Sequence, residues 1–388
     1  MDDTAAPAPV EGYDFALAGP GTVGGRFLRR FWQPVFVSQD LPKGRAVPIH
    51  IMGERYTLYR GETGIAHVVG FRCAHRSTQL STGWVKDDCI RCLYHGWTYN
   101  GAGECVERPG EQPSGPYAGV RIPARPTREH LGLVYAWFGE GEPPPFPPFP
   151  AFEGEGVVEN SAHLFPCNWF QTYENHADEV HLAFVHATGG SHRALGREIE
   201  LPQMDSQETD YGMVRLTRTS AGRERSTLLI FPNVMRIIIP PFTGWGQVGG
   251  WRDSYLTIVP TDDDHHILFA TQHARVSAAD APAYWDKRRE FEARVAAARP
   301  VAEVARDVLA GRMTLAEASD HPLFLLIEDA VAQGGQAPLV DRSQEHLGRT
   351  DLLIVRLRRL FARELRAIAE GRPVKNWRYA GEPPDRGF

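Results

Sequence analysis

The sequence predicts an α+β protein in which a small antiparallel β domain precedes a larger domain with an antiparallel sheet backed by helices. Short β-type runs split by Gly, Asp and Pro extend to about Phe138, and a proline-dense stretch follows at residues 139–156. Longer β-type runs come next, and from about Ala281 the pattern becomes that of amphipathic helices. Strands followed by a group of helices are typical of the α+β class.

The predicted limits divide the chain into four segments. Residues 1–29 are a tail with a short helix, residues 30–140 the β domain, residues 141–160 a proline-rich linker, and residues 161–388 the larger domain. The predicted strands of the β domain are VFVS, VPIHIM, YTLYR, IAHVV and VYAWF. Proline restricts φ and removes a backbone donor, so the linker is expected to form neither a regular helix nor a central strand.

The larger domain begins with a predicted helix over residues 168–187. Five β-type runs follow between residues 207 and 275: MVRLTRT, STLLIF, VMRIII, DSYLTIV and HHILFATQHA. Three helical segments complete the chain: AYWDKRREFEARVAAA, LAEASDHPLFLLIEDAVA and TDLLIVRLRRLFARELRAIAEG. The last carries a wide apolar stripe, which indicates a buried face.

Composition and charge are those of an ordinary globular protein. The 388 residues are 42% apolar and 23% charged, with a net charge of −6 of mixed signs, which gives no indication of a nucleic-acid partner. No apolar run approaches the ~20 residues of a membrane span, and MDDTAAPAPVEGYDF lacks the features of a secretion signal. Five sparse cysteines favour a reducing compartment. The sequence therefore predicts a cytoplasmic protein that binds neither nucleic acid nor membrane.

A glycine fingerprint near the start matches the pattern of dinucleotide sites. Gly19, Gly21 and Gly24 give GxGxxG, and Asp40 follows at about the spacing of a ribose-binding acid. That fingerprint requires a βαβ unit, but only FALA precedes it and Pro34 stops any following helix early. We interpret it as a glycine-rich turn before a short helix, and we expect any reducing cofactor on another protein.

Two Cys/His pairs in the β domain form the first candidate site. Cys73 and His75 are spaced C-x-H, Cys92 and His95 are spaced C-x-x-H, and residues 76–91 separate the pairs. Zinc sites tend to use CxxC or HxxxH spacing, whereas each half here offers one thiolate and one imidazole. This set suits a Rieske [2Fe–2S] cluster, in which one iron takes two thiolates and the other two imidazoles. We prefer that interpretation to a zinc knuckle or a coincidence.

The remaining cysteines are predicted to be structural thiols. Cys89 and Cys92 form a CxxC, which alone could indicate zinc or redox chemistry. Because Cys92 is needed to pair with His95, Cys89 is set aside, together with Cys105 and Cys167.

The stretch ENHADEVHLAFVH, residues 174–186, is the second candidate site. On a helix, Asp178 and His181 share a face. His181 and His186 lie roughly 140° apart around the axis, so they could meet at one metal only if the helix ends or distorts at the second. ATGG follows at once, and glycine commonly ends helices. His176 is expected to point elsewhere and to be structural. A solvated surface helix with chance histidines explains this stretch alone equally well.

Two histidines and a carboxylate would form the facial triad of a non-haem Fe(II) oxygenase, which leaves positions for O₂ and substrate. Oxygen activation needs electrons one at a time, and a Rieske cluster in the same chain could supply them. The two candidate sites are therefore chemically compatible.

Four stretches carry a resemblance to a known family. They are GPGTVGGRFLRRFWQPV, CAHR…CLYHGWTYNGAGECVERP, NWFQTYENHADEVHLAFVH and EDAVAQGGQAPLVDRSQEHLGRTD, and the similarity covers most of the chain. The chain resembles the α subunit of Rieske non-haem iron aromatic-ring-hydroxylating oxygenases, most closely the phthalate dioxygenase-like branch. The resemblance implies a helix-grip catalytic domain, and it explains the GxGxxG without a nucleotide.

The resemblance also implies which residues form the two sites. One [2Fe–2S] cluster would be held by Cys73, His75, Cys92 and His95. One mononuclear Fe(II) would be held by His181, His186 and Asp329, with Glu328 as the rival to Asp329.

Two further residues receive roles from the resemblance. Asp178 would link His181 to His95 of a neighbouring subunit, because a carboxylate fixes the imidazole tautomer and can carry an electron path. Asn175 would lie near the iron. Family members with this link form head-to-tail trimers, so a homotrimer or a dimer of trimers is expected.

The implied activity is that of a terminal oxygenase. Such a component uses O₂, and electrons from a separate NAD(P)H-dependent reductase with or without a ferredoxin, to hydroxylate an aromatic substrate by ring dioxygenation or monooxygenation. The substrate pocket is expected between VMRIII, GWGQVGG and SYLTIV and the iron-binding helices. The alternatives are an O-demethylase of a methoxyaromatic, a non-catalytic Rieske electron carrier, and a scaffold or sensor with a vestigial iron site.

Overall fold

The computed structural model describes residues 15–111, 119–186, 201–220, 222, 224–239 and 250–378. Contacts group the described residues into two compact units. The β unit comprises residues 19–21 and 28–146, and the mixed unit comprises residues 15–18, residues 22–27 and the described residues from 147 onward. One unit of strands with two short 3₁₀ helices, and one of sheet plus α-helices, confirm the predicted α+β class.

The described part of the β unit forms three antiparallel sheets. The strands are β1 Gln33–Val37, β2 Ala46–Ile51, β3 Glu54–Arg60, β4 Ala66–Gly70, β5 Trp84–Lys86, β6 Cys89–Arg91, β7 Thr98–Asn100, β8 Cys105–Glu107, β9 Ala124–Arg125, β10 Thr127–His130 and β11 Leu133–Ala136. Their orders are β1-β11-β10, β2-β3-β4-β9 and β5-β6-β7-β8. The runs VFVS, VPIHIM, YTLYR, IAHVV and VYAWF are confirmed as β1, β2, β3, β4 and β11.

Tight turns determine the register of the β unit. Met52 and Gly53 join β2 to β3 with φ of 50° and 78°, and Leu131 and Gly132 join β10 to β11 with φ of 49° and 79°. Two consecutive residues at positive φ are typical of type I′ hairpins, whose twist matches that of the strands they connect. Glycine at the second position makes this backbone accessible.

The mixed unit is built on a seven-stranded antiparallel sheet. Its strands are β12 Val157–Phe165, β13 Gln203–Glu208, β14 Gly212–Arg218, β15 Glu224–Ile230, β16 Val234–Ile239, β17 Arg252–Pro260 and β18 His266–Ala274. The order is β12-β18-β17-β16-β15-β14-β13, so only β12 pairs out of sequence. The described helices of the chain are α1 Val23–Leu28, α2 Trp169–Asn175, α3 His181–Phe184, α4 Ala281–Ala297, α5 Val301–Leu309, α6 Phe324–Gly334 and α7 Leu352–Ala369.

The two faces of this sheet have different partners. On one face, the rings of Phe149 and Phe152 from the proline-rich segment pack against Tyr255, with centroids 5.4 Å and 5.2 Å away. The opposite face carries Glu159, which pairs with Arg288 of α4 at 3.0 Å. Helices therefore cover the second face, and the candidate iron residues lie on that side.

Several elements differ from the sequence prediction. The single helix predicted over residues 168–187 is wrong, because the chain forms α2 and α3 with turns between them. The segment predicted as helix over residues 315–332 forms a short 3₁₀ helix at Ala316–Ala318 and becomes α-helical only at Phe324, beyond Pro322. β12, β13 and α5 were not predicted. None of the described helices combines the length and hydropathy that a membrane span requires.

Candidate metal sites

The two Cys/His pairs lie on two loops of the β unit. Cys73 and His75 follow β4, whereas Cys92 and His95 lie between β6 and β7. Both cysteines are free and buried in the hydrophobic core of the unit. The rings of His75 and His95 lie 4.5 Å apart, nearly perpendicular to each other. The structure thus brings the two predicted halves together.

Each loop is closed by a hydrogen bond from the backbone N–H of its cysteine to the carbonyl five residues further on. Cys73 donates to the Thr78 carbonyl at 2.8 Å, and Cys92 donates to the Trp97 carbonyl at 2.9 Å. Gly96 completes the second loop with a φ of +72°, and a Cβ there would lie 3.0 Å from Pro109. Glycine is therefore required after His95, both for the backbone conformation and for the space.

The donor set fits a metal cluster. Burial raises the pKa of the Cys92 thiol and the neighbouring Cys73 raises it further, while the backbone N–H groups of Tyr94 and His95 oppose the shift by donating toward this sulfur. His75 Nδ1 is buried and has no hydrogen-bond partner among the described residues. Trp97 stacks on the His75 ring, with the ring centroids 4.8 Å apart and the ring planes 6° from parallel. A buried ring nitrogen without a partner is costly, and a metal ligand role would explain it.

The histidine end of this site reaches the surface. His95 and Tyr94 are exposed, and their ring centroids lie 3.8 Å apart. The guanidinium of Arg76 lies over the Tyr94 ring at 5.3 Å. The thiolate end is therefore enclosed, while the imidazole end lies beside an exposed patch of one cation and one aromatic ring.

Sequence reasoning missed Tyr99, which lies behind Cys73. The Tyr99 hydroxyl accepts a hydrogen bond from Ala74 N at 3.1 Å and lies 3.3 Å from Cys73 Sγ. Because the Ala74 N–H is a donor, the hydroxyl proton is left for the sulfur. The signal available in the sequence was the tyrosine four residues after His95 in HGWTY.

The second site brings His181, His186 and Asp329 together from two separate elements. One ligand atom from each lies within 4.8 Å of the other two. Asp329 Oδ1, on α6, lies 3.5 Å from His186 Nε2 and 4.0 Å from His181 Nε2. His186 is buried, and the other two residues are half-buried. This is the one such group of three His, Cys, Asp or Glu ligands among the described residues.

The histidines meet because the helix breaks before the first of them and ends before the second. Asp178 Oδ1 accepts hydrogen bonds from the backbone N–H groups of Val180 at 2.8 Å and His181 at 3.3 Å. The carboxylate thus takes the place of the backbone carbonyls that would accept these bonds in a continuous helix, and α3 begins as a new helix at His181. His186 then follows the end of α3. The predicted end at ATGG falls on residues 187–190, outside the described residues.

Arg215, which sequence reasoning also missed, supports this broken segment from β14. Its buried guanidinium donates to the carbonyls of His176 at 2.8 Å and Asp178 at 3.3 Å, and to the Thr227 hydroxyl at 3.0 Å. It also pairs with Glu179 at 2.6 Å. Through Arg215, the sheet therefore donates hydrogen bonds to carbonyl groups that lack a helical donor because the helix is interrupted.

The two adjacent acids of α6 face different nitrogens of His186. Asp329 faces Nε2, as given above, whereas Glu328 Oε2 lies 3.0 Å from Nδ1. His181 shows the same division, with Nε2 toward Asp329 and Nδ1 4.0 Å from Asp178 Oδ2. Both histidines therefore present Nε2 to a common point and Nδ1 to a carboxylate behind them.

Asn175 lies beside the point that the Nε2 atoms of both histidines face, because its Nδ2 is 3.3 Å from His181 Nε2. His176 is half-buried close to the site, and desolvation lowers the pKa of its imidazole to about 3. Its Nδ1 has no hydrogen-bond partner among the described residues.

Asp329 is itself held by a pair of buried polar residues. Gln333, one turn further along α6, donates from Nε2 to Asp329 Oδ1 at 3.4 Å. The side-chain amide oxygen of Gln333, Oε1, accepts a hydrogen bond from the hydroxyl of Thr172 on α2. Sequence reasoning missed both residues, although a helical spacing of four from Asp329 is a usable signal for Gln333.

The electrostatics of the second site suit a cation. Three carboxylates, those of Asp178, Glu328 and Asp329, surround the two imidazoles. Burial alone would lower the pKa of His186, but Asp329 and Glu328 raise it to about 9. The two carboxylates that favour the positively charged imidazole would also favour a metal cation bound beside it.

A cleft of about 610 Å³ opens beside the second site. Asn175 and Asp178 form part of its wall, together with Glu174, Glu345 and Arg358. Most of GWGQVGG, which the sequence predicts to line the substrate pocket, falls on residues 240–249, outside the described residues.

Comparison with known proteins identifies the class of the chain. The Rieske [2Fe-2S] domain family matches residues 31–124. The chain is 30% identical over 375 residues to the 5,5'-dehydrodivanillate O-demethylase oxygenase subunit of Sphingobium sp. (strain NBRC 103272 / SYK-6), across 93% of this chain and 81% of the relative. It is 29% identical to the phenoxybenzoate dioxygenase subunit alpha of Ectopseudomonas oleovorans, across 90% and 84%.

A solved structure supports the fold over nearly the whole chain. The terminal oxygenase of carbazole 1,9a-dioxygenase from Nocardioides aromaticivorans IC177 superposes with a TM-score of 0.62 at 20% identity, covering 89% of this chain and 99% of that one. Together with the sequence relatives, this confirms the resemblance. The chain belongs to the Rieske non-haem iron aromatic-ring-hydroxylating oxygenases, as a terminal oxygenase subunit of the phthalate dioxygenase-like branch.

Proposed function

We propose that this chain hydroxylates an aromatic substrate with O₂ and with electrons delivered by a separate protein. The observation that carries the proposal is the presence in one chain of the buried Cys73/Cys92 pair with His75 and His95, and of the separate group His181, His186 and Asp329. When bound, a Rieske cluster would supply single electrons to a mononuclear Fe(II), which would activate O₂.

The protein's own residues have distinct tasks at the two metals. Cys73 and Cys92 would hold one iron of the cluster, and His75 and His95 the other. Support for this division comes from His75 Nδ1, which is buried and has no hydrogen-bond partner in the described part of the chain.

His181 and His186 would bind the mononuclear iron through Nε2, with Asp329 as the third ligand. Asp329 is favoured over Glu328 because only Asp329 faces Nε2 of both histidines. Asn175 would donate a hydrogen bond beside the open positions, because its amide lies next to His181 Nε2.

Asp178 would connect the second site to the cluster of another subunit. It contacts His181 Nδ1, is itself partly exposed, and lies on the wall of the cleft of about 610 Å³. We call this cleft acidic, because its lining contains five acidic residues and one arginine. The exposed patch beside His95 carries Arg76 and is complementary in charge. These features support a head-to-tail homotrimer, or a dimer of trimers, in which His95 of one subunit meets Asp178 of the next.

A separate NAD(P)H-dependent reductase, with or without a ferredoxin, would supply the electrons. The strand pairs among the described residues are all antiparallel, so the GxGxxG at residues 19–24 lacks the βαβ unit that a dinucleotide site needs. We place this oxygenase in the cytoplasm with its reductase, and we retain the limits 30–140, 141–160 and 161–388 for its domains and linker.

The substrate is proposed to be an aromatic acid or a methoxyaromatic. Relatives carry the names of an O-demethylase and of a dioxygenase, so O-demethylation is the second candidate reaction beside ring hydroxylation. A non-catalytic electron carrier is less favoured, because such a carrier has no use for the His181, His186 and Asp329 group.

A substrate screen tests the proposal. The purified chain is supplied with a surrogate reductase and NADH, and aromatic acids and methoxyaromatics are followed by O₂ uptake and product mass. We expect substrate-dependent uptake, with products that gain oxygen atoms or lose a methyl group. In a His181→Ala, His186→Ala double variant the cluster spectrum should remain while product formation stops. Persistent oxygen-dependent product formation in that variant would refute the iron assignment.

A further inference from the structure

Glu328 is a buried acid whose one hydrogen-bond partner among the described residues is His186. Its Oε2 lies 3.0 Å from His186 Nδ1, and the side chains are 0% and 3% exposed. Its other oxygen, Oε1, is buried without a hydrogen-bond partner in the described part of the chain. An ionised carboxylate in such a place is destabilising unless it is paired, so a role in packing alone does not explain it.

The contact determines which nitrogen of His186 carries the proton. A carboxylate only accepts hydrogen bonds, so the imidazole must donate from Nδ1. In the neutral ring the lone pair then lies on Nε2, the nitrogen that faces Asp329 at 3.5 Å. Glu328 thus selects the tautomer in which His186 can bind a metal at the point shared with His181 and Asp329.

Helix geometry explains why the two adjacent acids cannot exchange these roles. Neighbouring residues on α6 project about 100° apart around the helix axis. Asp329 therefore points toward the shared point, while Glu328 reaches the opposite edge of the His186 ring.

We propose that Glu328 is the positioning residue of His186, which holds the ring in place and strengthens its Nε2 as a donor to the bound cation. The inference rests on the proposed function, because it presumes iron at the triad. Ligating histidines commonly bind a carboxylate or carbonyl through their second nitrogen, and loss of that partner lowers metal affinity by about 10- to 100-fold.

The two histidines differ in how firmly their second nitrogen is held. His186 meets a fully buried carboxylate at 3.0 Å, whereas His181 meets Asp178 at 4.0 Å, with 24% of the Asp178 side chain exposed. The His186 side is thus the rigid half of the site. The His181 side keeps a carboxylate that can also bind a second group.

The test compares three variants of the full chain. Glu328→Gln keeps an acceptor at nearly the same position, Glu328→Leu removes it, and Glu364→Gln is the control. Glu364 is also a buried acid, but it bonds Arg363 and the Lys375 backbone. Fe(II) affinity is measured by competition with a chromophoric chelator, and ligand geometry by the EPR spectrum of the Fe(II)–NO adduct.

We expect Glu328→Leu to bind Fe(II) at least about 10-fold more weakly, with a changed EPR spectrum. Glu328→Gln should lose less affinity, and Glu364→Gln should match the wild type. The visible spectrum of the Rieske cluster reports folding of the β unit, and circular dichroism reports the rest. If Glu328→Leu fails to fold, Glu328→Gln decides instead. A neutral amide oxygen is a weaker acceptor than a carboxylate, so the proposal predicts weaker Fe(II) binding and a changed EPR spectrum in Glu328→Gln, and wild-type values of both would overturn it.

Two results would overturn the proposal. Wild-type affinity and EPR spectra in both Glu328 variants would show that the contact has no role at the metal. Complete loss of iron in Glu328→Gln, with iron retained in Asp329→Asn, would make Glu328 a ligand instead. A wild-type chain that binds no iron at this site, with the cluster intact, would refute the proposed function itself and the inference with it.

Discussion

At the scale of single residues, two of the candidate ligands, Cys73 and Asp329, are supported by groups that the sequence motifs did not reveal. Tyr99 lies against Cys73, and Gln333 holds Asp329 through a bond to Thr172 on another helix. The cysteines and histidines themselves could be predicted, because their spacing reflects the chemistry of the metals. The supporting residues could not, because their partners are distant in sequence and depend on how α2 packs against α6.

Tyr99 is expected to raise the reduction potential of the cluster, because a hydrogen bond to a thiolate favours the more electron-rich reduced state. Tyr99→Phe should lower the potential by about 40 mV, which corresponds to a loss of about 1 kcal/mol in a one-electron couple. The measurement is a redox titration followed by EPR. Tyr94→Phe is the control, since the Tyr94 hydroxyl contacts Arg76 and not a sulfur. Equal potentials for Tyr99→Phe and wild type would contradict this role.

His266 is expected to make stability depend on pH. It is fully buried, its Nδ1 donates to the Cys167 carbonyl at 2.9 Å, and burial lowers its pKa to about 4. In the unfolded chain the imidazole titrates near 6.5, so below that pH the unfolded state binds a proton that the folded state excludes. Stability is therefore present above about pH 6.5 and is lost as pH falls toward 4, by up to roughly 3 kcal/mol.

Urea unfolding at several pH values tests this dependence. His266→Asn keeps a donor near the Cys167 carbonyl and should show a shallower loss of stability below pH 6.5 than the wild type. His265→Asn is the control for the removal of a histidine, because His265 is exposed. The same slope for His266→Asn and wild type would show that another group governs the acid transition.

At the scale of elements, the broken helix before His181 is the feature that sequence periodicity misjudged. The apolar pattern of residues 168–187 is compatible with one helix. Nothing local shows that the Asp178 side chain will accept bonds from the backbone N–H groups of Val180 and His181, or that Arg215 will approach from β14. The edge strand β13 was missed for a related reason: it is mostly polar, so alternation is weak. The long apolar strands β14 to β18 were correctly predicted.

Arg215 is expected to be essential for the structure of this segment. Arg215→Met removes its bonds to two carbonyls and leaves the Glu179 carboxylate buried with a weaker partner, Arg225 at 3.5 Å. We expect a loss of about 3–5 kcal/mol in the free energy of unfolding of the mixed unit, with loss of mononuclear iron and an unchanged cluster spectrum.

Arg218→Met is the matched control on the same strand. The Arg218 side chain is 58% exposed and pairs with Glu224 at the surface, so its loss should cost no more than about 1 kcal/mol. Equal urea midpoints for the two variants would show that the Arg215 contacts do not stabilise the segment.

At the scale of the whole molecule, the two sites belong to different units. The sequence predicted the class of both units, because patterned strands, a proline-dense segment and amphipathic helices follow one another along the chain. It also predicted the family, because the family motifs coincide with the candidate metal ligands. The surfaces that would join one subunit to the next could not be predicted, since the acidic cleft beside Asp178 combines residues from α2, α7 and the segment between α6 and α7.

The most direct test of the account is the metal and sulfide content of the purified chain and two variants. We predict about three irons and two acid-labile sulfides per wild-type chain, one cluster plus one mononuclear iron. The His181→Ala, His186→Ala double variant should lose about one iron and keep both sulfides, and Cys73→Ala should lose the sulfides. Zinc without sulfide in the wild-type chain, or sulfide loss in the double variant, would contradict the account of two separate iron sites.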